Sequence, residues 1–267
     1  MERTYLDEIL VARRRRLQEE RAHVPLARYQ EAVEARPPGR DFAAALQGDG
    51  LRVIAELKRA SPSRGLLCLR YRRREIAQAY ESAGAAALSV LTEDQYFLGS
   101  LSDVAQVREA VRLPVLRKDF IVDPYQVYES AAAGADAILL IAAALSDKDL
   151  RGLLDLSGRL KLAALVEVHT KDDLSRALDL GAKIIGVNNR DLKTMHVDLG
   201  TSLRLRSRIP ADCSAVSESG ITTTEDLREL AAAGFHAVLI GTRLITMPDP
   251  GRALAELVAG LNTTPSP

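Results

Sequence analysis

Charged side chains that can exchange protons close four apolar stretches of the sequence. Glu56 and Lys58 end the run VIAELK, Lys118 ends PVLRK, Glu167 ends ALVE and Glu218 ends AVSE. A lysine can be tuned by its surroundings to donate or accept a proton near neutral pH, and a carboxylate can act as its partner. The chain has only seven lysines among 36 basic residues, so lysine at two such positions indicates a need for a titratable amine.

Glycines at helix ends predict the elements that would bring these residues together. Gly84, Gly134, Gly181 and Gly234 each follow a helical pattern and precede a short apolar run, as expected where a left-handed cap ends a helix and a strand begins. Other apolar runs alternate with these, which gives eight strand–helix units. Strands that are apolar on both faces indicate a parallel sheet covered by helices. Even unit lengths favour an α/β fold of the closed (β/α)8 TIM-barrel type over a doubly wound open sheet.

In such a barrel, the charged strand ends would meet around one opening. Active sites of TIM barrels lie where the strands end, and residues two apart on a strand share a face. Glu56 and Lys58 are therefore both expected to point into the mouth, together with Lys118, Glu167 and Glu218 from the other odd-numbered strands. The alternative is that these charges are merely solvated or form structural ion pairs.

Two glycine-containing loops predict an anion site beside these charges. SESGI follows the seventh predicted strand and IGTRL includes the end of the eighth. Glycine lets backbone N–H groups approach a ligand, and in many barrels these two loops hold a phosphate. The candidate phosphate-binding residues are Ser219, Gly220, Gly241 and Thr242. Each alone would be an ordinary turn, so the prediction depends on their pairing.

Residues outside the barrel pattern predict the remaining organisation. Residues 1–50 are expected to form two or three extra helices that cap one end of the barrel, residues 51–260 the catalytic barrel, and residues 261–267 a short tail. The run Arg13 to Arg16 lies within helical reach of Glu19 and Glu20. A solvated helix face is therefore a better interpretation of this run than a nucleic-acid contact.

Composition excludes several classes of function. The 267 residues contain 36 acidic and 36 basic residues, so no overall field attracts a polyanion such as nucleic acid. The longest apolar run, residues 131–145, is too short for the ~20 residues that span a bilayer. Charges interrupt the first apolar stretch, which is atypical of a secretory signal. Two cysteines without metal-ligand spacing fit a cytoplasmic protein without a metal. The oligomeric state is left open, with a monomer favoured.

The sequence resembles the indole-3-glycerol-phosphate synthase family in six motifs, in the same order and at matching strand ends. They are VIAELKRASPSRG, LSVLTEDQYFLGS, PVLRKDFIVDPYQVYES, ALVEVHT, GVNNRDL and SESGI. The resemblance implies a lyase that converts 1-(2-carboxyphenylamino)-1-deoxyribulose 5-phosphate to indole-3-glycerol phosphate in tryptophan biosynthesis, releasing carbon dioxide and water. It implies a phosphorylated small-molecule substrate and no metal or organic cofactor.

The resemblance also implies roles for individual residues. Lys118 matches the acid of ring closure. Lys58 and Glu167 match the acid and base of dehydration, with their order left open, and Glu56 matches a residue that supports the reacting nitrogen. Contacts implied for the substrate or for the polar ring of the mouth fall on Ser61, Phe97, Phe120, Asn188, Arg190 and Glu218.

The sequence departs from the family pattern in three places, and two other functions stay open. The loop LLCLRYRRRE, residues 66–75, lacks the usual Asp-Pro pair, Ser217 stands where alanine is usual, and GTRLI differs from the more familiar ending with Met. One alternative is a Schiff-base aldolase, in which Lys118 or Lys58 would attack a carbonyl as an amine of depressed pKa. The other is a phosphosugar-binding barrel without catalysis, whose rim charges only orient a ligand.

Overall fold

Eight parallel strands close into a barrel in the computed structural model, which describes residues 4–262. Each strand pairs with the next one along the chain, and the first pairs with the last through Arg52 and Ala237. The predicted (β/α)8 barrel is therefore confirmed. The strands are β1 (Arg52–Leu57), β2 (Ala87–Leu91), β3 (Val115–Lys118), β4 (Ala137–Ile141), β5 (Ala163–Val168), β6 (Ile184–Asn188), β7 (Ser214–Glu218) and β8 (Ala237–Ile240).

Helices connect successive strands, and three more precede the barrel. The preceding helices are α1 (Tyr5–His23), α2 (Leu26–Glu34) and α3 (Phe42–Ala45). The helices that follow β1 to β8 are α4 (Arg73–Ser82), α5 (Leu101–Ala110), α6 (Pro124–Ala132), α7 (Asp147–Arg159), α8 (Lys171–Asp179), α9 (Gly200–Arg206), α10 (Thr224–Ala232), α11 (Thr242–Ile245) and α12 (Pro250–Asn262). A short antiparallel hairpin, residues 60–61 and 65–66, lies between β1 and α4.

Left-handed glycines end four of these helices, as the sequence predicts. Gly84, Gly134, Gly181 and Gly234 have φ between 87° and 90°. A Cβ atom is disfavoured in this conformation, which glycine adopts without strain. Several barrel helices begin with side-chain caps, for example α10, where Thr223 forms a capping box with Asp226. Sequence-local interactions thus set the strand–helix alternation.

Alternation along each strand separates two apolar cores. Val53, Ala55 and Leu57 of β1 pack in the outer core between sheet and helices, whereas Ile54 packs in the core inside the barrel. Because side chains two apart share a face of the strand, Glu56 follows Ile54 into the interior. The same parity directs the last residue of β3, Lys118, inward, because Leu116 lies in the inner core.

The N-terminal helices contact both ends of the barrel, whereas the sequence predicted that they cap only one end. Leu6 and Ile9 of α1 and Phe42 and Leu46 of the α3 region belong to the same inner core. Gln47 donates to the Ser214 hydroxyl at the start of β7, at 2.6 Å, which places α3 at the amino-terminal end of the strands. Leu6 and Ile9 line the opposite opening.

The boundaries of residues 1–50 and 51–260 as domains stay a prediction. Residues 261 and 262 continue α12, and residues 263–267 of the predicted tail lie outside the described residues.

The sequence predicts that Arg13 to Arg16 lie on a solvated helix face, and this prediction is wrong for Arg13. The Arg13 side chain is 7% exposed, and it lies 3.0 Å from Glu20 and 3.7 Å from Asp119. It shares the buried face of α1 with Leu6, Ile9 and Leu17. Glu20 is its hydrogen-bond partner, but Asp119 and Glu129 at 3.8 Å complete its surroundings and are distant in sequence, so local charge spacing could not predict this burial.

Candidate active site

A cavity of about 420 Å³ opens at the carboxyl ends of the strands. Its volume is in the range of small-molecule sites. All of the site residues predicted from the sequence line it: Glu56, Lys58, Ser61, Phe97, Lys118, Phe120, Glu167, Asn188, Arg190, Glu218, Ser219, Gly220, Gly241 and Thr242. The fold therefore gathers residues that are up to 186 positions apart in the chain, from Glu56 to Thr242.

Lys118 lies between two carboxylates of neighbouring odd-numbered strands. Its Nζ donates to Glu218 Oε2 at 2.9 Å and to Glu167 Oε2 at 3.2 Å. Burial alone would lower the pKa of Lys118, but the charges of Glu218, Glu167 and Glu56 outweigh burial and hold the pKa above its ordinary value. Lys118 is therefore a protonated ammonium that faces the cavity at neutral pH.

Glu218 is the carboxyl group most perturbed by this arrangement. Burial raises its pKa to about 7; Lys118 opposes the shift, while Glu167 adds repulsion. Its Oε1 is buried and has no hydrogen-bond partner within residues 4–262. A Cβ on Gly186 would lie 2.1 Å from this oxygen, so only glycine at that position of β6 leaves room for the carboxyl group. Glu218 can thus hold or release a proton near neutral pH.

Glu56 and Lys58 form a second acid–base pair. Lys58 Nζ lies 2.6 Å from Glu56 Oε1, which accords with the prediction that both side chains share one face of β1. A Cβ on Gly241 would lie 2.1 Å from Glu56 Oε1 and 2.9 Å from Lys58 Nζ. The pair is therefore packed directly against the loop that follows β8, and glycine at 241 is required for this approach.

The loops after β7 and β8 have the backbone form of an anion site. Ser219 and Gly220 are both left-handed, with φ of 67° and 79°. Gly241 precedes the single-turn helix α11, which begins at Thr242. N–H groups in the first turn of a helix have no partner within it, and together with N–H groups in turns they suit phosphate oxygens.

The loop after β6 and the hairpin after β1 contribute cationic side chains to the cavity. Asn188 Oδ1 accepts from Arg190 N at 2.9 Å, and Arg190 Nη1 donates to Met195 O at 3.0 Å. Burial, followed by the neighbouring Arg64 charge, lowers the pKa of Arg190, but an arginine stays charged at neutral pH. Arg64 comes from the hairpin after β1 and also lines the cavity. The two guanidinium groups can receive an anion.

Apolar side chains form the remaining wall. The rings of Phe97 and Phe120 have centroids 6.4 Å apart with planes inclined by 38°. Leu6 and Ile9 of α1 extend this wall, and sequence reasoning missed both. Their spacing with Arg13 and Leu17 would have indicated a buried face of α1, but nothing local indicates that this face covers the mouth.

No cluster of three or more histidine, cysteine, aspartate or glutamate side chains suited to a metal ion occurs within residues 4–262. The chemistry that the site offers is proton transfer between amines and carboxylates, next to an anion site and an aromatic wall.

These features define a class of protein: a (β/α)8 barrel with an acid–base site at the carboxyl ends of its strands. Comparison with known proteins identifies the family. The family model for indole-3-glycerol phosphate synthase matches residues 6–257, and the chain belongs to this family. It is 48% identical over 255 residues to the indole-3-glycerol phosphate synthase of Rhodococcus jostii (strain RHA1), covering 96% of this chain and 95% of that protein.

Further relatives agree with this assignment. The chain is 50% identical over 247 residues to the indole-3-glycerol phosphate synthase of Chloroherpeton thalassium (strain ATCC 35110 / GB-78), covering 91% of this chain and 95% of that protein. Among solved structures, the thiamine phosphate pyrophosphorylase of Pyrococcus furiosus superposes with a TM-score of 0.60 at 15% identity, covering 79% of this chain and 95% of that chain. That likeness reflects the shared barrel fold alone.

Proposed function

We propose that the chain is an indole-3-glycerol-phosphate synthase. It converts 1-(2-carboxyphenylamino)-1-deoxyribulose 5-phosphate to indole-3-glycerol phosphate, carbon dioxide and water in tryptophan biosynthesis. The observation that carries the proposal is the placement of Lys118 in the mouth, hydrogen-bonded to both Glu167 and Glu218. The membership of the chain in the family supports it.

Lys118 promotes ring closure. The ring carbon that bears the carboxyl group attacks the ketone carbon of the sugar, a carbon–carbon bond forms, and negative charge develops on the ketone oxygen. A protonated amine aimed at that oxygen stabilises the charge and delivers the proton that makes it an alcohol. The neighbouring carboxylates hold the pKa of Lys118 above its ordinary value, so the proton is available at neutral pH.

Loss of carbon dioxide and water then restores the aromatic ring. The carbon–carboxyl bond breaks and its electron pair neutralises the cationic ring intermediate. Dehydration needs an acid that protonates the leaving hydroxyl and a base that removes a proton from the adjacent carbon. Lys58 and Glu167 supply these two groups, and Glu56, 2.6 Å from Lys58, supports the reacting nitrogen. Asn188 and Glu218 complete the polar ring.

The two anionic groups of the substrate bind to different residues of the cavity. Ser219, Gly220, Gly241 and Thr242 bind the phosphate through backbone N–H groups and hydroxyls. The substrate carboxylate is bound by Arg190 and Ser61. The aromatic ring packs against Phe97 and Phe120, whose rings lie at the apolar wall.

The protonation of Lys118 disfavours a Schiff-base aldolase. An amine that attacks a carbonyl must lose its proton, and enzymes that use one depress its pKa. Here Glu218 and Glu167 outweigh the lowering effect of burial on the pKa of Lys118. A barrel that only binds phosphosugars would have no need for carboxylates on two sides of an amine.

The proposal extends to the setting of the enzyme. No helix within residues 4–262 is long and apolar enough to cross a membrane. We propose a cytoplasmic monomer without metal or organic cofactor, whose partner is the phosphorylated substrate. The catalytic barrel comprises residues 51–260 and residues 1–50 form its extension.

Product formation tests the proposal. The purified protein incubated with the carboxyphenylamino sugar phosphate is expected to generate indole fluorescence together with one equivalent of carbon dioxide. The dephosphorylated substrate is the matched control and is expected to react with a much higher KM. Absence of indole product, with a covalent adduct trapped by borohydride, would favour the aldolase instead. Ligand binding with neither indole product nor adduct would leave only a binding function.

A further inference from the structure

The turn at Ser219 and Gly220 is held in a conformation that needs support. Ser219 has a φ of 67°, in the left-handed region that side chains other than glycine, asparagine and aspartate rarely adopt. Asn189, on the loop after β6, donates its Nδ2 hydrogen to the Ser219 carbonyl oxygen at 3.0 Å. This hydrogen bond is the described side-chain contact that fixes the orientation of the peptide between Ser219 and Gly220.

Asn189 is itself locked by a buried polar network. Its side chain is fully buried. Its Nδ2 also donates to Ser217 Oγ at 3.1 Å, its Oδ1 accepts from Ser202 N at 3.0 Å, and the hydroxyls of Ser202 and Ser217 lie 2.7 Å apart. Both polar atoms of the Asn189 amide are therefore satisfied within the protein. Such a network specifies one arrangement of its members.

The peptide plane transmits this arrangement to the cavity. The C=O and N–H of a trans peptide are coplanar and point in opposite directions. Because Asn189 holds the Ser219 carbonyl, the Gly220 N–H is directed away from Asn189, and both residues of the turn line the cavity. A Cβ on Gly220 would lie 2.7 Å from Val197 of the same β6 loop, so the turn also packs tightly against this loop.

We infer that Asn189, assisted by Ser217, is a positioning residue that aims the Gly220 N–H at the substrate phosphate. The inference rests on the phosphate site of the proposed function. Asn189 does not contact the ligand and acts through the turn. The Ser217 hydroxyl accepts a hydrogen bond from Asn189 at 3.1 Å and lies 2.7 Å from the Ser202 hydroxyl. In this chain the phosphate loop thus has a support that alanine could not provide.

Binding of inorganic phosphate tests the inference without catalysis. Phosphate is titrated into wild type, Asn189→Ala, Ser217→Ala and Ser157→Ala, and its Kd is taken from the rise in Tm. Ser157 is a matched control because it is a buried serine whose hydroxyl donates to Leu153 O at 2.6 Å, in α7. All three variants lose a buried hydrogen bond, so all are expected to have a lower Tm in the absence of phosphate.

The expected result separates positioning from stability. Asn189→Ala weakens phosphate binding by about tenfold and Ser217→Ala by a few fold, the loss expected for a misdirected hydrogen bond. Ser157→Ala leaves the Kd unchanged. With the full substrate, KM rises in the first two variants while kcat changes little. If Asn189→Ala does not fold, Ser217→Ala alone carries the test.

The outcomes also separate the inference from the proposed function. Unchanged phosphate Kd and KM in both Asn189→Ala and Ser217→Ala, in an enzyme that turns over the substrate, would overturn the inference alone. Absence of phosphate binding in wild type would also overturn it. A third outcome is that wild type binds phosphate but makes no indole product, while Asn189→Ala loses phosphate binding. This outcome would support the positioning role and overturn the proposed function.

Discussion

Strand β3 separates two buried clusters of charge that differ in composition. Lys118 points into the mouth and meets Glu167 and Glu218. Arg117, one residue earlier, points to the outside of the barrel, where Glu129 lies 2.7 Å and Asp119 2.9 Å from its guanidinium. We call the second group the flank cluster: Arg13, Arg117, Asp119 and Glu129. Both clusters are buried, but the mouth cluster faces the cavity, whereas Asp119 is the one member of the flank cluster that lines it.

The two clusters teach what lysine and arginine are used for in this fold. In the flank cluster, burial would raise the pKa of Asp119, but Arg117 and Arg13 outweigh it and hold the pKa below its ordinary value. In the mouth, burial raises the pKa of Glu218 to about 7. The arginines stay charged and stabilise the structure, whereas the lysine lies among an excess of carboxyl groups that can exchange protons.

Removal of the mouth amine is expected to have the largest effect. Lys118→Met should lower kcat by about 10²–10⁴-fold, the usual contribution of a general acid, while KM changes little because the anion contacts remain. Steady-state indole fluorescence measures both constants. Equal turnover in Lys118→Met and wild type would assign the proton to another group.

Removal of Arg117 from the flank cluster should instead make the protein easier to unfold. Arg117→Met leaves Asp119 and Glu129 buried without their main partner, which costs about 3–5 kcal/mol of unfolding free energy. Urea denaturation at pH 7 measures the loss. The kcat of the fraction that remains folded is expected to stay within a few fold of wild type. A stable variant with strongly reduced kcat would mean that the flank cluster takes part in catalysis.

The pH dependence of stability should distinguish the mouth carboxyl. The pKa of Glu218 rises from 4.5 to about 7 on folding, so between these values the folded state keeps a proton that the unfolded state has lost. Its contribution to stability is full below pH 4.5 and disappears as pH rises through 7, a change of about 3 kcal/mol. Glu218→Gln removes this decline. Urea denaturation from pH 5 to 8 measures the unfolding free energy of wild type and Glu218→Gln, and parallel curves for the two would contradict the raised pKa of Glu218.

An exposed pair on α1 should have the smallest effect. Arg15 Nε lies 3.7 Å from Glu19 Oε1, and the Arg15 side chain is 84% exposed. Arg15→Gln is expected to change the unfolding free energy by less than about 0.5 kcal/mol. Arg13→Gln, two residues earlier on the buried face, should lower the unfolding free energy by several times more, because it removes one of the cations beside the buried Asp119. Similar losses in both variants would mean that burial does not separate them.

The sequence predicts the barrel and the mouth because both depend on local rules. Glycine caps and apolar runs set the strands, and strand parity then directs Glu56 and Lys58 inward. The same rules could not predict the burial of Arg13, because Asp119, 3.7 Å from its Nε, lies 106 positions later in the chain. They also missed Asn189, because an asparagine in a turn is ordinary and its hydrogen bond to Ser219 forms across two loops.

A single turnover comparison of the two residues on β3 tests most directly that the mouth performs the chemistry. Lys118→Met and Arg117→Met, in excess over the carboxyphenylamino sugar phosphate and corrected for folded fraction, are mixed rapidly and followed by indole fluorescence. We expect the rate to fall by at least about 100-fold in Lys118→Met and to stay near wild type in Arg117→Met. Equal rates in the two variants would contradict the division between mouth and flank.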